Sequence, residues 1–267
     1  MRKFAGMRFG FIHSVAAMLL VLLAGCSMTP KDETRDWGPD RLYYAARSEL
    51  EGKNYQKAIS YYQKLESRYP YGRFAQQAQL DTAYAYWKDA EPALALAGCD
   101  RFIREHPNHP NVDYAYYLKG RINFNEDLGI LGFMSGKDLS ERDPKSARDA
   151  FDAFKELVSR FPESKYAPDA EARMKYLVSA LASHEAHVAE YYYRRGAYVA
   201  SANRAQFVLK TYPRTPAVER ALVVMVRSYD AMGIADLRDD AERLLRTNFP
   251  DNSLALRHQP RAWWKFW

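Results

Sequence analysis

Five times along this chain an aromatic or histidine residue is followed at once by proline, and the same residue pattern precedes each pair. The pairs are Tyr69-Pro70, His106-Pro107, Phe161-Pro162, Tyr212-Pro213 and Phe249-Pro250, with successive prolines 37, 55, 51 and 37 residues apart. Five residues before each proline stands an apolar side chain: Leu65, Phe102, Leu157, Val208 and Leu245. Eight before it stand Tyr62, Cys99, Phe154 and Ala205, with Glu242 breaking the rule. Twelve before it stand Ala58, Ala95 and Ala150, then Ser201 and Arg238. These offsets place the three positions on one face of a helix. Proline cannot extend that helix and pushes the residue before it out of the α region, so each helix must stop there.

A small residue facing a bulky one across a helix pair, with proline ending the second helix, is the tetratricopeptide pattern. It predicts an all-α solenoid of five helical hairpins, about ten helices, from Asp40 to Pro250. The first helices of the hairpins fall at Asp40–Gly52, Arg73–Lys88, Asn111–Asn125, Asp169–Arg195 and Ala217–Met232. Pro92, Pro144 and Pro216 follow Glu91, Asp143 and Thr215, a capping residue and then proline in the first turn. Alternation of strand type is absent. Two irregularities stand out. Residues 128–143 form a Gly-rich insertion with apolar side chains, the kind of loop that packs on a scaffold or meets a partner. The first helix of the fourth repeat is overlong, with neither Pro nor Gly between Pro168 and Gly196, and is expected to project past its neighbours.

The amino terminus carries a targeting signal. Arg2, Lys3 and Arg8 precede an apolar run that ends in Leu23-Ala24-Gly25-Cys26. Cysteine at that point is the bacterial lipoprotein form, in which the mature chain starts at Cys26 with a diacylglycerol on sulfur and an acyl chain on nitrogen. A transmembrane anchor is the other reading, but His13 interrupts the run from Phe9 to Gly25, which is short for a span. Several acyl chains, at about 0.8 kcal/mol per buried methylene, hold a protein at a membrane almost permanently. Ser27, not Asp, follows the cysteine; in Gram-negative lipoproteins, which this segment resembles, that implies the outer membrane. Residues 1–25 hold three basic and no acidic residues, so removing them lowers the net charge from +6 to +3. That mild balance gives no support for nucleic-acid binding. With Cys26 acylated, Cys99 stands alone and no internal disulfide is expected. The chain then divides into a signal peptide (1–25), a lipidated linker (26–39), amino-terminal repeats (40–127), the insertion (128–143), carboxy-terminal repeats (144–250) and an aromatic tail (251–267).

More specific strings overlie this frame: Arg142-Asp143-Pro144 with Ala147-Arg148 and Ala150-Phe151, Val188-Ala189-Glu190-Tyr191-Tyr192, Arg195-Gly196-Ala197, Asn203-Arg204, Asp100 to Arg104, and His109-Pro110-Asn111. Through them the sequence resembles the BamD family, outer-membrane lipoproteins of the β-barrel assembly machine. The resemblance implies a non-enzymatic adaptor on the periplasmic face of the outer membrane. Its carboxy-terminal repeats would hold the last periplasmic POTRA domain of BamA. Its amino-terminal repeats would read the aromatic C-terminal signal strand of unfolded outer-membrane proteins. BamE and, where it exists, BamC would be further partners. A general repeat scaffold of the envelope, associated with peptidoglycan or division, is the rival reading.

Candidate contact residues follow from both lines. First helices line the concave side of a solenoid, and Tyr43, Tyr44, Tyr84, Tyr86, Trp87, Tyr114, Tyr116 and Tyr117 lie on them. Tyrosine suits a wet groove that takes varied peptides, although adjacent tyrosines cannot all face one way and some must fill core. Tyr69, Tyr84, Tyr117, Arg121, Tyr191, Tyr192, Arg195, Asn203 and Arg204 form the candidate set for substrate or partner binding. Tyr69 can equally be a structural stop, since every repeat has a ring there. Arg195 and Arg204 match positive positions of the family and could pair bidentately with carboxylates, or simply be solvated. His184-Glu185-Ala186-His187 lacks the i, i+4 spacing of a zinc helix, since position 188 is valine. His106 and His109 lack further ligand partners, and Cys99 occupies a small core slot. No serine elbow, phosphate-cradling loop or carboxylate pair supports catalysis, and beyond the lipid on Cys26 no cofactor or metal is expected. The tail Trp263-Trp264-Lys265-Phe266-Trp267 could sit at a membrane interface, on a partner, or in the protein's own signal groove, or be a loose end.

Overall fold

The computed structural model describes residues 32–124 and 144–252. The signal peptide and Cys26, the 128–143 insertion and the tail from 253 onward lie outside the described residues. Within them stand ten helices in five antiparallel pairs: α1 (Pro39–Glu51) and α2 (Tyr55–Arg68), α3 (Arg73–Lys88) and α4 (Pro92–Glu105), α5 (Val112–Phe124) and α6 (Pro144–Arg160), α7 (Ala167–Arg194) and α8 (Tyr198–Thr211), α9 (Ala217–Ala231) and α10 (Ala235–Asn248). Each helix packs on the one before it and the one after it, which is the order of a solenoid. The expected first helices match to within two residues at each end.

The repeat pattern works as core. At five, eight and twelve residues before proline, every side chain is buried except Arg238. Ser201 fills its slot by donating its hydroxyl to the Ala189 carbonyl at 2.8 Å and accepting from Ser228 at 3.0 Å. At all five exits the N–H of the residue before proline closes the last helical turn at 2.8 Å, as Tyr69 does on Leu65 O and Phe249 on Leu245 O. The backbone then swings to φ near −130° and ψ near +60°, shown by −132° and 63° at Tyr69 and −127° and 50° at Tyr212. The chain has thus left the α region, which the following proline disfavours for its predecessor. The turn inside a repeat is equally regular. Lys53, Ala90, Gly196 and Gly233 each take a left-handed conformation, with φ of 62°, 63°, 75° and 72°. In each case the next N–H reaches back to close a Schellman cap, as Ala197 N–H does on Tyr192 O. In the first repeat the left-handed residue is Lys53, one place after the glycine that marks the stop in the sequence.

The long α7 does not project. Its amino-terminal half packs against α6 and shares a core with Leu80, Phe102, Leu118 and Phe154 through Ala170 and Leu177. Its carboxy-terminal half packs against α8 and α9 through Ala182, Ala186 and Ala189. At 28 residues, roughly 42 Å, it is the spine that joins two cores. The solenoid also ends deliberately. Eleven and four residues before the last proline stand Asp239 and Arg246, where earlier repeats carry Ile59, Leu96, Phe151 and Ala202 and, apart from Glu66, Ile103, Val158 and Leu209. Along that line α10 offers a sixth repeat no apolar face, as a terminal cap must.

Candidate functional site

The candidate residues separate into two groups. The first gathers around Trp87 on α3. Its ring has the Lys88 ammonium 4.4 Å from its centroid and the Arg121 guanidinium of α5 at 4.9 Å. Tyr84 meets the same ring edge-on at 5.9 Å. Tyr84, Trp87 and Arg121 are all half-buried. A half-covered indole with two cations close to it presents both ring surface and positive charge, which suits an aromatic group beside a carboxylate.

Tyr117 does not belong to that surface. It is buried, stacked on Tyr166 at 4.7 Å with planes 17° apart, and gives its hydroxyl to Asp169 of α7 at 2.8 Å. Burial, followed by the Asp169 contact, raises its pKa. Burial alone would raise Asp169 too, but the bonds from Arg173 and Tyr117 together hold it below the usual carboxylate range. Tyr43 does the same two repeats earlier, donating to Asp81 of α3 at 3.0 Å, where Tyr62 at 3.4 Å and the Gln77 amide at 2.8 Å also donate. Each of these tyrosines ties one repeat's first helix to the next. Tyr116 is likewise core, whereas Tyr44 is 61% exposed.

Tyr69 is engaged within the fold: its hydroxyl donates to the Trp37 carbonyl at 3.0 Å. The exposed ring at this corner is its neighbour Tyr71, 93% accessible, past the proline and before Gly72 at φ 114°. No sequence signal marked Tyr71, because the repeat pattern covers only residues up to proline.

The second group lies at the end of α7. Tyr191 is 51% exposed, meets Tyr192 edge-on at 5.9 Å, and has the Arg195 guanidinium 6.0 Å from its ring. Tyr193 turns inward against the second core and Tyr198. Of the three consecutive tyrosines, then, one is exposed, as the geometry of a helix requires. Asn203 is exposed on α8. Arg204 is not an uncommitted docking arginine. It binds Glu185 of α7 at 3.0 Å, and Arg148 of α6 approaches the other carboxylate oxygen at 3.5 Å. Glu185 is only 4% exposed. Tyr212's own burial, and then the nearby Glu185 charge, raise the Tyr212 pKa. The Arg148–Glu185–Arg204 clasp joins three helices where the two cores meet; sequence reasoning had Arg148 only as part of a family string and Arg204 as a docking or solvated arginine.

The remaining polar candidates are structural. His106 meets the Gln79 amide at 3.0 Å and, with His109, flanks the Phe102 ring. His187 pairs with Arg220. Cys99 is fully buried, and burial pushes its thiol up to about 12. Among the described residues no group of three or more His, Cys, Asp or Glu could hold a metal ion, and no helix is long and apolar enough to cross a membrane.

Comparison with known proteins adds identity to this geometry. The sequence profile described as YfiO, outer membrane lipoprotein, matches residues 35–244. The outer membrane protein assembly factor BamD of Neisseria meningitidis serogroup A is 49% identical over 237 residues, 88% of this chain and 89% of that protein. BamD of Xylella fastidiosa is 37% identical over 91% of this chain and 84% of its own length. BamD of Vibrio cholerae is 37% identical over 86% and 95%. Among solved structures, the MamA protein covers 83% of this chain at 14% identity and a TM-score of 0.34, too loose a likeness to bear on the argument. A half-identical relative over nearly the whole length, a profile that runs from before α1 into α10 and strings that fall on the clasp and the α7 end converge: the chain belongs to the YfiO family of outer membrane lipoproteins, and the BamD assembly factors are its relatives.

Proposed function

We propose that the chain is the lipid-anchored periplasmic adaptor of an outer-membrane β-barrel assembly machine. Acylated Cys26 fastens it to the outer membrane. Repeats four and five hold a POTRA module of the barrel subunit BamA, with Tyr191, Arg195 and Asn203 at the contact, and BamE and, where present, BamC complete the assembly. The amino-terminal repeats take the aromatic C-terminal signal of unfolded outer-membrane proteins. What supports this last role is the Trp87 patch, since a chain ending in an aromatic residue supplies the ring and the carboxylate that an indole close to Lys88 and Arg121 can receive. Family membership supports the assembly role as a whole, and an assembly factor built of helical repeats is a non-catalytic kind of protein. The test is pull-down of the tagged chain from detergent-solubilised envelopes with mass spectrometry, paired with depletion in vivo. The adaptor brings down a barrel protein carrying periplasmic modules, and its loss empties the outer membrane of porins. Normal porin levels after depletion would favour the general envelope scaffold instead.

A further inference from the structure

We propose that residues 32–38 are a built strap that holds the acyl anchor against the flank of the first repeat and turns that flank, the outer line of α2, towards the phospholipid surface. The proposal rests on Cys26 being lipidated. The sequence marks only a lipidated linker here, yet the residues are fastened at Asp32, Thr34 and Trp37. The Asp32 carboxylate accepts from Lys64 of α2 at 2.7 Å and from Arg68. Thr34, 2% exposed, donates its N–H and hydroxyl back to Asp32 at 3.1 and 2.8 Å, and its carbonyl accepts from Arg68. The Trp37 carbonyl accepts from the Tyr69 hydroxyl, and its ring packs edge-on against Tyr61 at 5.7 Å beneath the Arg41 guanidinium. Tyr61, Lys64 and Arg68 recur at helical spacing, so the strap lies along one line of α2. The Lys64 bond, then those of Thr34, hold the Asp32 carboxyl well below the usual carboxylate range, so the clamp stays ionised at neutral pH.

The consequence is a short tether. Asp32 is six positions on from Cys26, and a chain reaches at most about 3.5 Å per residue, so roughly 20 Å. With the strap peeled away the first fixed residue is Pro39, thirteen residues from Cys26, and the reach grows to about 45 Å. Effective concentration at the membrane scales as about the −3/2 power of tether length, a loss of about three-fold. The strap thus confines the solenoid to one flank and one height, with α2 nearest the lipid.

Energy transfer tests it. The full lipidated chain, carrying Cys99→Ser and a fluorophore on exposed Ser67→Cys, is placed in phosphatidylethanolamine–phosphatidylglycerol vesicles that contain an acceptor lipid. Asp32→Ala with Trp37→Ala should lower transfer while helix content is unchanged. Seven Gly/Ser residues inserted between Cys26 and Asp32, with every strap contact kept, should lower it equally. Transfer that ignores the strap substitutions overturns the proposal. So does transfer that ignores the insertion, since the substitutions would then have acted on the fold and not on the tether. A chain that takes up no labelled palmitate removes the anchor, and with it the wider reading. A palmitate-labelled chain indifferent to the strap refutes the strap alone.

Discussion

Removing charges from the Arg148–Glu185–Arg204 clasp should produce an asymmetric result, and the structure gives its size. At 3.0 and 3.5 Å, with an effective dielectric near 20, each attraction is roughly 5 kcal/mol gross. Glu185 has lost nearly all its hydration, at a cost of several kcal/mol, whereas the Arg204 and Arg148 side chains remain 43% and 53% exposed. Solvent screens their part and leaves them a place to hydrate when the carboxylate goes. Glu185→Gln should therefore cost only about 1–2 kcal/mol. Arg148→Ala with Arg204→Ala leaves a buried, uncompensated carboxylate and should cost about 3–5 kcal/mol. Adding Glu185→Gln to that double variant should restore about 2 kcal/mol, because the orphaned charge is gone. Urea unfolding of residues 27–267 at pH 7, read by circular dichroism, measures all four proteins. A Glu185→Gln cost equal to or above the double arginine cost, or no rescue in the triple variant, refutes the reasoning. Absence of rescue would mean that the arginines do not compensate a buried charge, and Arg204 would again be a candidate docking residue.

Three further outcomes follow from the same geometry. Trp87→Ala should weaken binding of a peptide ending in phenylalanine about ten-fold, some 1.4 kcal/mol, by fluorescence anisotropy, and a change under two-fold removes the patch from the site. Gly120 sits where an added Cβ would lie 2.4 Å from the Phe154 ring, so Gly120→Ala should cost about 1–3 kcal/mol of unfolding free energy; no loss would mean that α5 and α6 are not in this close approach. Burial raises the Asp81 pKa above its ordinary 3.8 in spite of the Gln77, Tyr43 and Tyr62 bonds. The folded state therefore holds that proton more tightly than the unfolded one, and stability falls as pH rises through the interval between the two values. Asp81→Asn should be the more stable protein at pH 7, with the advantage gone below pH 3.8. Gln77 and its neighbour Asn111, both amides, can turn over to meet the new side chain. Equal pH profiles for the two proteins would contradict it.

The sequence by itself determined the fold. Proline geometry is local, and a side chain that must be buried recurs with the helix period, so the stops at Tyr69, His106, Phe161, Tyr212 and Phe249 and the slots before them could be read without coordinates. Even Glu242, the exception to the apolar rule, is buried in its slot. What each surface residue does was decided only in three dimensions. Tyr117 and Tyr84 lie on first helices and share the same chemistry, but Tyr166, in the turn before α7, stacks on one while the other is left half open beside Trp87. Arg204 became structural because Glu185, nineteen residues away along the chain, is folded against it. The overlong α7 became a spine because α6, α8 and α9 meet along it. The strap at Asp32 closes across more than thirty residues onto Lys64 and Arg68. Periodicity records which face of a helix is covered; it carries no record of the distant partner that covers it, and in this protein that partner decides which rings and charges remain for binding.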